Sequence, residues 1–249
     1  MRGLVHELTN PRPPIPDNRY PTTDMLLLHG ALGAASQFGP LLPLLADRFQ
    51  LHTLDFQGHG GQPFPERPFS IHHCVLEVLQ WMQERGIEQT DIFGYSMGGY
   101  VGLYLARHHP ARVGRLFTLA TKFDWNPDGA AREAAMLNPE KMQQKVPQFY
   151  AALQQRHSPN NLDELLHRTA AMMTALGAQP EVTLQDLTQI QTPVRVGVGD
   201  RDQMVSIEET VQIFRQIPNG QLAVLPATPH PIEKVPLPRL AAEIQEFFC

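Results

Sequence analysis

The sequence predicts an α/β fold with a mostly parallel sheet flanked by helices, interrupted once by an all-helical insertion. Three observations predict it. Short apolar runs that do not alternate, such as Met25-Leu26-Leu27-Leu28, read as strands covered on both faces. Stretches with helical apolar spacing separate those runs, which is the rhythm of βαβ units. Between Lys122 and Pro180 the rhythm fails, because only helical patterns occur there.

The start of the chain carries Pro11, Pro13, Pro14, Pro16 and Pro21, which forbid a continuous helix and confine any strand to an edge. It is expected to run over the surface. The Met25 to Leu28 strand then ends at His29-Gly30-Ala31. Ala34 to Leu45 has Phe38, Leu41, Leu42 and Leu45 at helical spacing, but Pro40 and Pro43 make that helix short or kinked. Leu51 to Asp55 is the next strand, closed by Gly58-His59-Gly60-Gly61. Ile71, Val75, Val78, Leu79 and Met82 mark a helix that Gly86 can cap.

Asp91-Ile92-Phe93 is a strand, followed by a tight turn and a helix through Val101, Tyr104 and Leu105 that ends near His108-His109-Pro110. Val113 to Ala120 supplies another strand. In the strandless tract, Asn126-Pro127 and Asn138-Pro139 are helix starts, with Asn able to cap and Pro suited to the first turn. Leu162, Leu165, Leu166, Thr169, Met172, Met173 and Leu176 keep one face of a further helix apolar. The reading is a core of residues 1–121 and 184–249, with 122–183 as a lid over the C-terminal edge of the sheet. Strand Val194 to Val198, a helix bearing Ile207, Val211, Phe214 and Ile217, strand Leu222 to Leu225 and a helix through Leu240, Ile244 and Phe247 complete the chain.

Composition narrows the partners. The net charge is -5 and the basic residues are scattered, so no electrostatic footprint for nucleic acid or an anionic membrane is present. A small-molecule substrate is expected. Cys74 and Cys249 are far apart and outside metal-type spacing. The residues after Met1 lack the apolar core of a secretory signal, and no run approaches a membrane span, so a soluble, cytoplasmic protein is expected. No two histidines have zincin spacing, and neither metal nor cofactor is expected.

The chemistry centres on Gly94-Tyr95-Ser96-Met97-Gly98-Gly99. A serine with glycine two residues to either side, between a strand and a helix, is what a nucleophile elbow needs. The turn strains the serine backbone, and side chains at the flanking positions would collide with the neighbouring strand and helix. The Met97 N–H, at the helix start, then points toward any oxyanion formed at Ser96.

A serine hydroxyl is a weak nucleophile near neutral pH and needs a base, held in the right tautomer by an acid. Gly199-Asp200-Arg201-Asp202 follows one late strand and His230 follows the next, giving the chain order Ser, Asp, His. Asp202 is chosen over Asp200, which comes directly after its strand and serves the turn backbone. Of the eleven histidines, His108 and His109 read as helix-end cap residues, His72 and His73 as solvated, and His29 and His59 as shaping their glycine loops. The second oxyanion donor is expected at Ala31 N–H.

With these residues in place, the chain resembles the α/β-hydrolase superfamily over nearly its whole length. The resemblance rests on His29-Gly30-Ala31, Asp55 with Gly58-His59-Gly60, the elbow, Gly199 to Asp202 with Val205, and His230 with Glu233 and Pro236. Leu184-Gln185-Asp186-Leu187 leading to Pro193 also fits the return from lid to core. The resemblance implies Ser96 as nucleophile, Asp202 as acid, His230 as base, and Ala31 and Met97 as oxyanion donors. Gln62, where the family often has Ser, and Arg195, inside a usually apolar strand, depart from the pattern.

The expected function is hydrolysis of a small carboxylic ester or thioester through an acyl-enzyme. Carbon–carbon bond hydrolysis or lyase chemistry, acyl transfer, and a non-catalytic receptor on the same fold stay open beside it. Phe123, Trp125 and Tyr95 are the substrate-binding candidates, with Met136, Phe149, Tyr150, Met172 and Met173 as further pocket candidates.

Overall fold

A computed structural model describes residues 23–249, and the proline-rich start of the chain lies outside them. Six strands pair in parallel in the order β2-β1-β3-β4-β5-β6: β1 Thr23–Leu28, β2 Phe49–Leu54, β3 Thr90–Tyr95, β4 Val113–Leu119, β5 Val194–Gly199 and β6 Gly220–Leu225. The unbroken apolar runs follow from burial on both faces. Leu26 and Leu28 of β1 join a core with α2 (Ile71–Glu84), α3 (Met97–His108) and later α9 (Ile207–Gln216), while Met25 and Leu27 join a second core under α10 (Leu237–Phe248). Chain order reverses between β1 and β3, so the loops leaving those two strands face each other across a crevice at the C-terminal edge of the sheet.

The segment from Ala34 to Leu45, expected to be a short or kinked helix, is broken into a 3-10 turn, Ala35–Phe38, and a single helical turn, α1 Leu42–Leu45. Pro40 and Pro43 deny the amides a continuous helix would need. Phe38, Leu41 and Leu45 still reach the α10-side core. Arg195, the charge inside β5, is 8% exposed and is neutralised from the side: it donates to Gln221 Oε1 at 2.8 and 3.1 Å, to Glu243 Oε2 at 3.1 Å and to Glu246 Oε1 at 3.2 Å. A buried guanidinium with that many acceptors is tolerable where an unpaired one is not.

Between β4 and β5 the chain forms α4 Pro127–Met136, α5 Pro139–Lys145, α6 Pro147–His157, α7 Leu162–Ala178 and the short α8 Leu184–Leu187. Asn126, Asn138 and Asn161 cap α4, α5 and α7 through their side chains, accepting from Gly129, Lys141 and Glu164 N–H. Both ends of the insert are pinned. Glu209 Oε1 accepts from Phe123 and Asp124 N–H at 2.6 and 2.7 Å where the insert begins, and Glu181 accepts from Ile71 and His72 N–H at 3.0 and 2.8 Å where it ends. Met172 and Leu176 of α7 pack into the sheet core from above.

Candidate active site

Ser96 stands between β3 and α3 with φ 52° and ψ -116°, a left-handed backbone that a residue with a Cβ seldom adopts. Its surroundings over-determine it. The Ser96 N–H donates to Leu119 O at 2.8 Å, extending the ladder to β4, and the Ser96 carbonyl accepts from Gly99 N–H and Thr121 Oγ1, both at 3.0 Å. A Cβ at Gly94 would lie 2.5 Å from Gly98 O and Gly99 Cα, and one at Gly98 would strike the carbonyls of Leu28 and His29. The two glycines therefore let α3 start directly against β1 and β3.

Asp202 and His230 come from the loops after β5 and β6. His230 Nδ1 donates to Asp202 Oδ2 at 2.8 Å, and the Asp202 side chain is fully buried. Its other oxygen accepts from Met204 and Val205 N–H at 2.8 and 2.9 Å, so the carboxylate is fixed by backbone as well as by imidazole. A proton held on Nδ1 leaves the Nε2 lone pair as the basic site. Asp200 turns away to the backbone, accepting from Thr228 N–H at 3.2 Å. Tyr95 links the elbow to the histidine loop: its hydroxyl donates to the His230 carbonyl at 2.8 Å and the two rings lie 5.6 Å apart. Among the described residues no hydrogen bond joins Ser96 Oγ to the imidazole.

The N–H groups of Ala31 and Met97 make no hydrogen bond among the described residues, and both residues line one cavity with Ser96. The cavity is narrow, about 40 Å³, and the insert supplies its far wall through Trp125, Met172, Met173 and Leu176. Of the three substrate-binding candidates, Trp125 alone lines it, with its indole N–H buried and unpartnered among the described residues. Phe123 is packed into the core. Tyr95 follows the two-residue period of β3 onto the opposite face, with Phe93, and becomes a support for His230. Met136 and Phe149 are exposed, at 54% and 50%, and Tyr150 bonds Asp163 within the insert.

Sequence patterns do not reveal the contacts around Leu32, the residue after Ala31, which itself has φ 56°. Its carbonyl accepts from His157 Nε2 at 3.0 Å and from Arg156 Nη1 at 3.2 Å, both at the end of α6. His157 Nδ1 accepts from Gly60 N–H at 3.0 Å, and Arg156 Nη2 reaches Glu233 Oε1 at 2.7 Å, near His230. Basic residues in a last helical turn have an ordinary reason to be there, so nothing in the sequence marks them. His29 binds β1 to β2 in the same way: Nδ1 donates to Gly30 O at 2.8 Å and Nε2 accepts from Phe56 N–H at 3.2 Å. Burial lowers the pKa of both His29 and His157 to about 4.

The strand order, the elbow and the late acid and histidine define a hydrolase-fold protein. The family model of the alpha/beta hydrolase fold matches residues 25–225, and the chain belongs to that family. It is similar to the pimeloyl-[acyl-carrier protein] methyl ester esterase of Aeromonas hydrophila, with 28% identity over 228 residues, 83% of this chain and 88% of the relative. Many solved structures share the fold, the next two among them. The enol-lactonase of Burkholderia xenovorans superposes with a TM-score of 0.74 at 18% identity, over 91% of each chain. The 2-hydroxy-6-oxo-6-phenylhexa-2,4-dienoate hydrolase of a Rhodococcus species gives 0.76 at 22% identity, over 91% of this chain and 90% of that one. No helix among the described residues is long and apolar enough to cross a membrane.

Proposed function

We propose that this chain is a serine esterase in which Ser96 is the nucleophile, His230 the base and Asp202 the orienting acid, acting on a small carboxylic ester. The observation that carries the reading is the His230 Nδ1 bond to the buried Asp202 carboxylate at 2.8 Å, on the sheet edge where Ser96 occupies its strained turn. In the reaction His230 Nε2 takes the Ser96 proton as Oγ attacks the ester carbon. The Ala31 and Met97 N–H groups hold the oxyanion, and the imidazolium returns its proton to the departing alcohol. Water, deprotonated by the same nitrogen, then releases the acid.

The apolar wall of Trp125, Met172, Met173 and Leu176 suits an aliphatic acyl chain, and residues 122–183 serve as the lid that excludes bulk water from it. The name of the Aeromonas relative specifies a pimeloyl-[acyl-carrier protein] methyl ester, and a methyl ester of an aliphatic acyl chain is the substrate class we assign here. Initial rates on methyl and p-nitrophenyl esters of graded chain length, with Ser96→Ala as control, test it. Saturable turnover lost in Ser96→Ala supports the reading; absence of turnover across the series, or full activity in the control, overturns it.

A further inference from the structure

The Ser96 cavity shares Met97 and Met172 as a common wall with a second hollow of about 10 Å³, which is also lined by Gln57 and His59. His59 is 2% exposed, and its Nδ1 lies 3.2 Å from the Gln57 carbonyl. A carbonyl only accepts, so the proton sits on Nδ1 and Nε2 presents a lone pair. That nitrogen is buried with no partner among the described residues, and so is Gln57 Oε1. Burial, with His29 and His157 nearby, holds the His59 pKa well below the usual value, which keeps the ring neutral. Buried acceptors left unpaired are costly, so a group that enters here and donates is favoured over one that does not.

We propose that His59 and Gln57 form a polar subsite for an uncharged hydrogen-bond donor, a hydroxyl carried on the acyl chain beyond the apolar stretch at Met97 and Met172. The proposal rests on the esterase reading of Ser96. A hollow that admits about one water-sized group fits a hydroxyl and excludes a larger amide. A carboxylate would bring its own lone pairs against two acceptors and lose its solvation.

The test uses the full chain carrying Ser96→Ala, so that binding is read without chemistry. Calorimetry gives affinities for chain-matched methyl esters, plain and ω-hydroxylated, from butanoyl to octanoyl. At the chain length that reaches the hollow, the hydroxylated ester is expected to bind about three- to tenfold more tightly. Adding His59→Leu or Gln57→Leu should collapse that ratio toward one, and Gln57→Leu carries the test where His59→Leu does not fold. A ratio of one or below at every length, or a preference that survives both substitutions, overturns the subsite. Loss of the esterase reading would show separately, as wild-type protein that turns over none of the esters while the binding ratio is still measured.

Discussion

At Ser96 the backbone holds a conformation that costs on the order of 1–3 kcal/mol, and it persists because the strand ladder, Thr121 and the start of α3 leave no alternative. Gly98→Ala adds a Cβ against the Leu28 and His29 carbonyls, so α3 must move off β1. A loss of about 1–3 kcal/mol in denaturant unfolding is expected, together with lost esterase activity. The two nearby aspartates separate by partner. Asp202→Asn presents the wrong group to His230 Nδ1 and should lower kcat by about four orders of magnitude, whereas Asp200→Asn should leave it within about twofold. Steady-state turnover of a p-nitrophenyl ester gives the comparison, and a crippling effect at Asp200 would reverse the assignment. These residues are legible in the sequence because each has a local signature: flanking glycines around Ser96, and a position just after a strand for Asp202 and His230. Tyr95 is less legible, since only the face on which β3 places it distinguishes a support for His230 from a pocket wall.

At the scale of elements, α6 is the bridge between the insert and three loops of the sheet edge. Arg156 and His157 hold the Leu32 carbonyl, His157 accepts from Gly60, and Arg156 meets Glu233 beside the histidine loop. The Leu32 carbonyl fixes the turn that follows Ala31, so an insert seated on the sheet also sets the Ala31 N–H. Arg156→Gln should therefore lower kcat about tenfold while KM changes by less than about twofold, with Arg156→Lys recovering part of the loss. A rise in KM with kcat intact would instead make Arg156 a substrate contact. The insert is visible in sequence as a tract of Asn-Pro starts without a strand, and its helices follow. Its docking is not, because it depends on helix-end side chains meeting backbone carbonyls far away in the chain. The first loop is legible on both counts: apolar spacing from Phe38 to Leu45 reports burial, and Pro40 and Pro43 report that no continuous helix forms there.

For the whole molecule, the three buried imidazoles at the sheet edge set a limit on the acid side. His29 and His59 have ring centroids 5.2 Å apart and His59 and His157 5.7 Å apart, where β1, β2 and the insert converge. His157 has its pKa lowered in the folded state to about 4, while the unfolded chain titrates near 6.5. Between those values the unfolded state binds more protons, so stability is full above about 6.5 and falls as pH drops toward about 4. Protonation would also turn His157 Nδ1 from acceptor to donor against Gly60 N–H, loosening α6 from the sheet. Asp91 works in the opposite sense: burial raises its carboxyl to about 6, so its protonation relieves strain over part of the same range. The difference between two proteins removes that offset. His157→Gln keeps a donor and an acceptor but does not titrate, and from pH 7 to pH 4.5 it should lose about 2 kcal/mol less stability than the wild type. Parallel denaturant titrations at both pH values measure the double difference, and equal losses in the two proteins would remove His157 from the acid response.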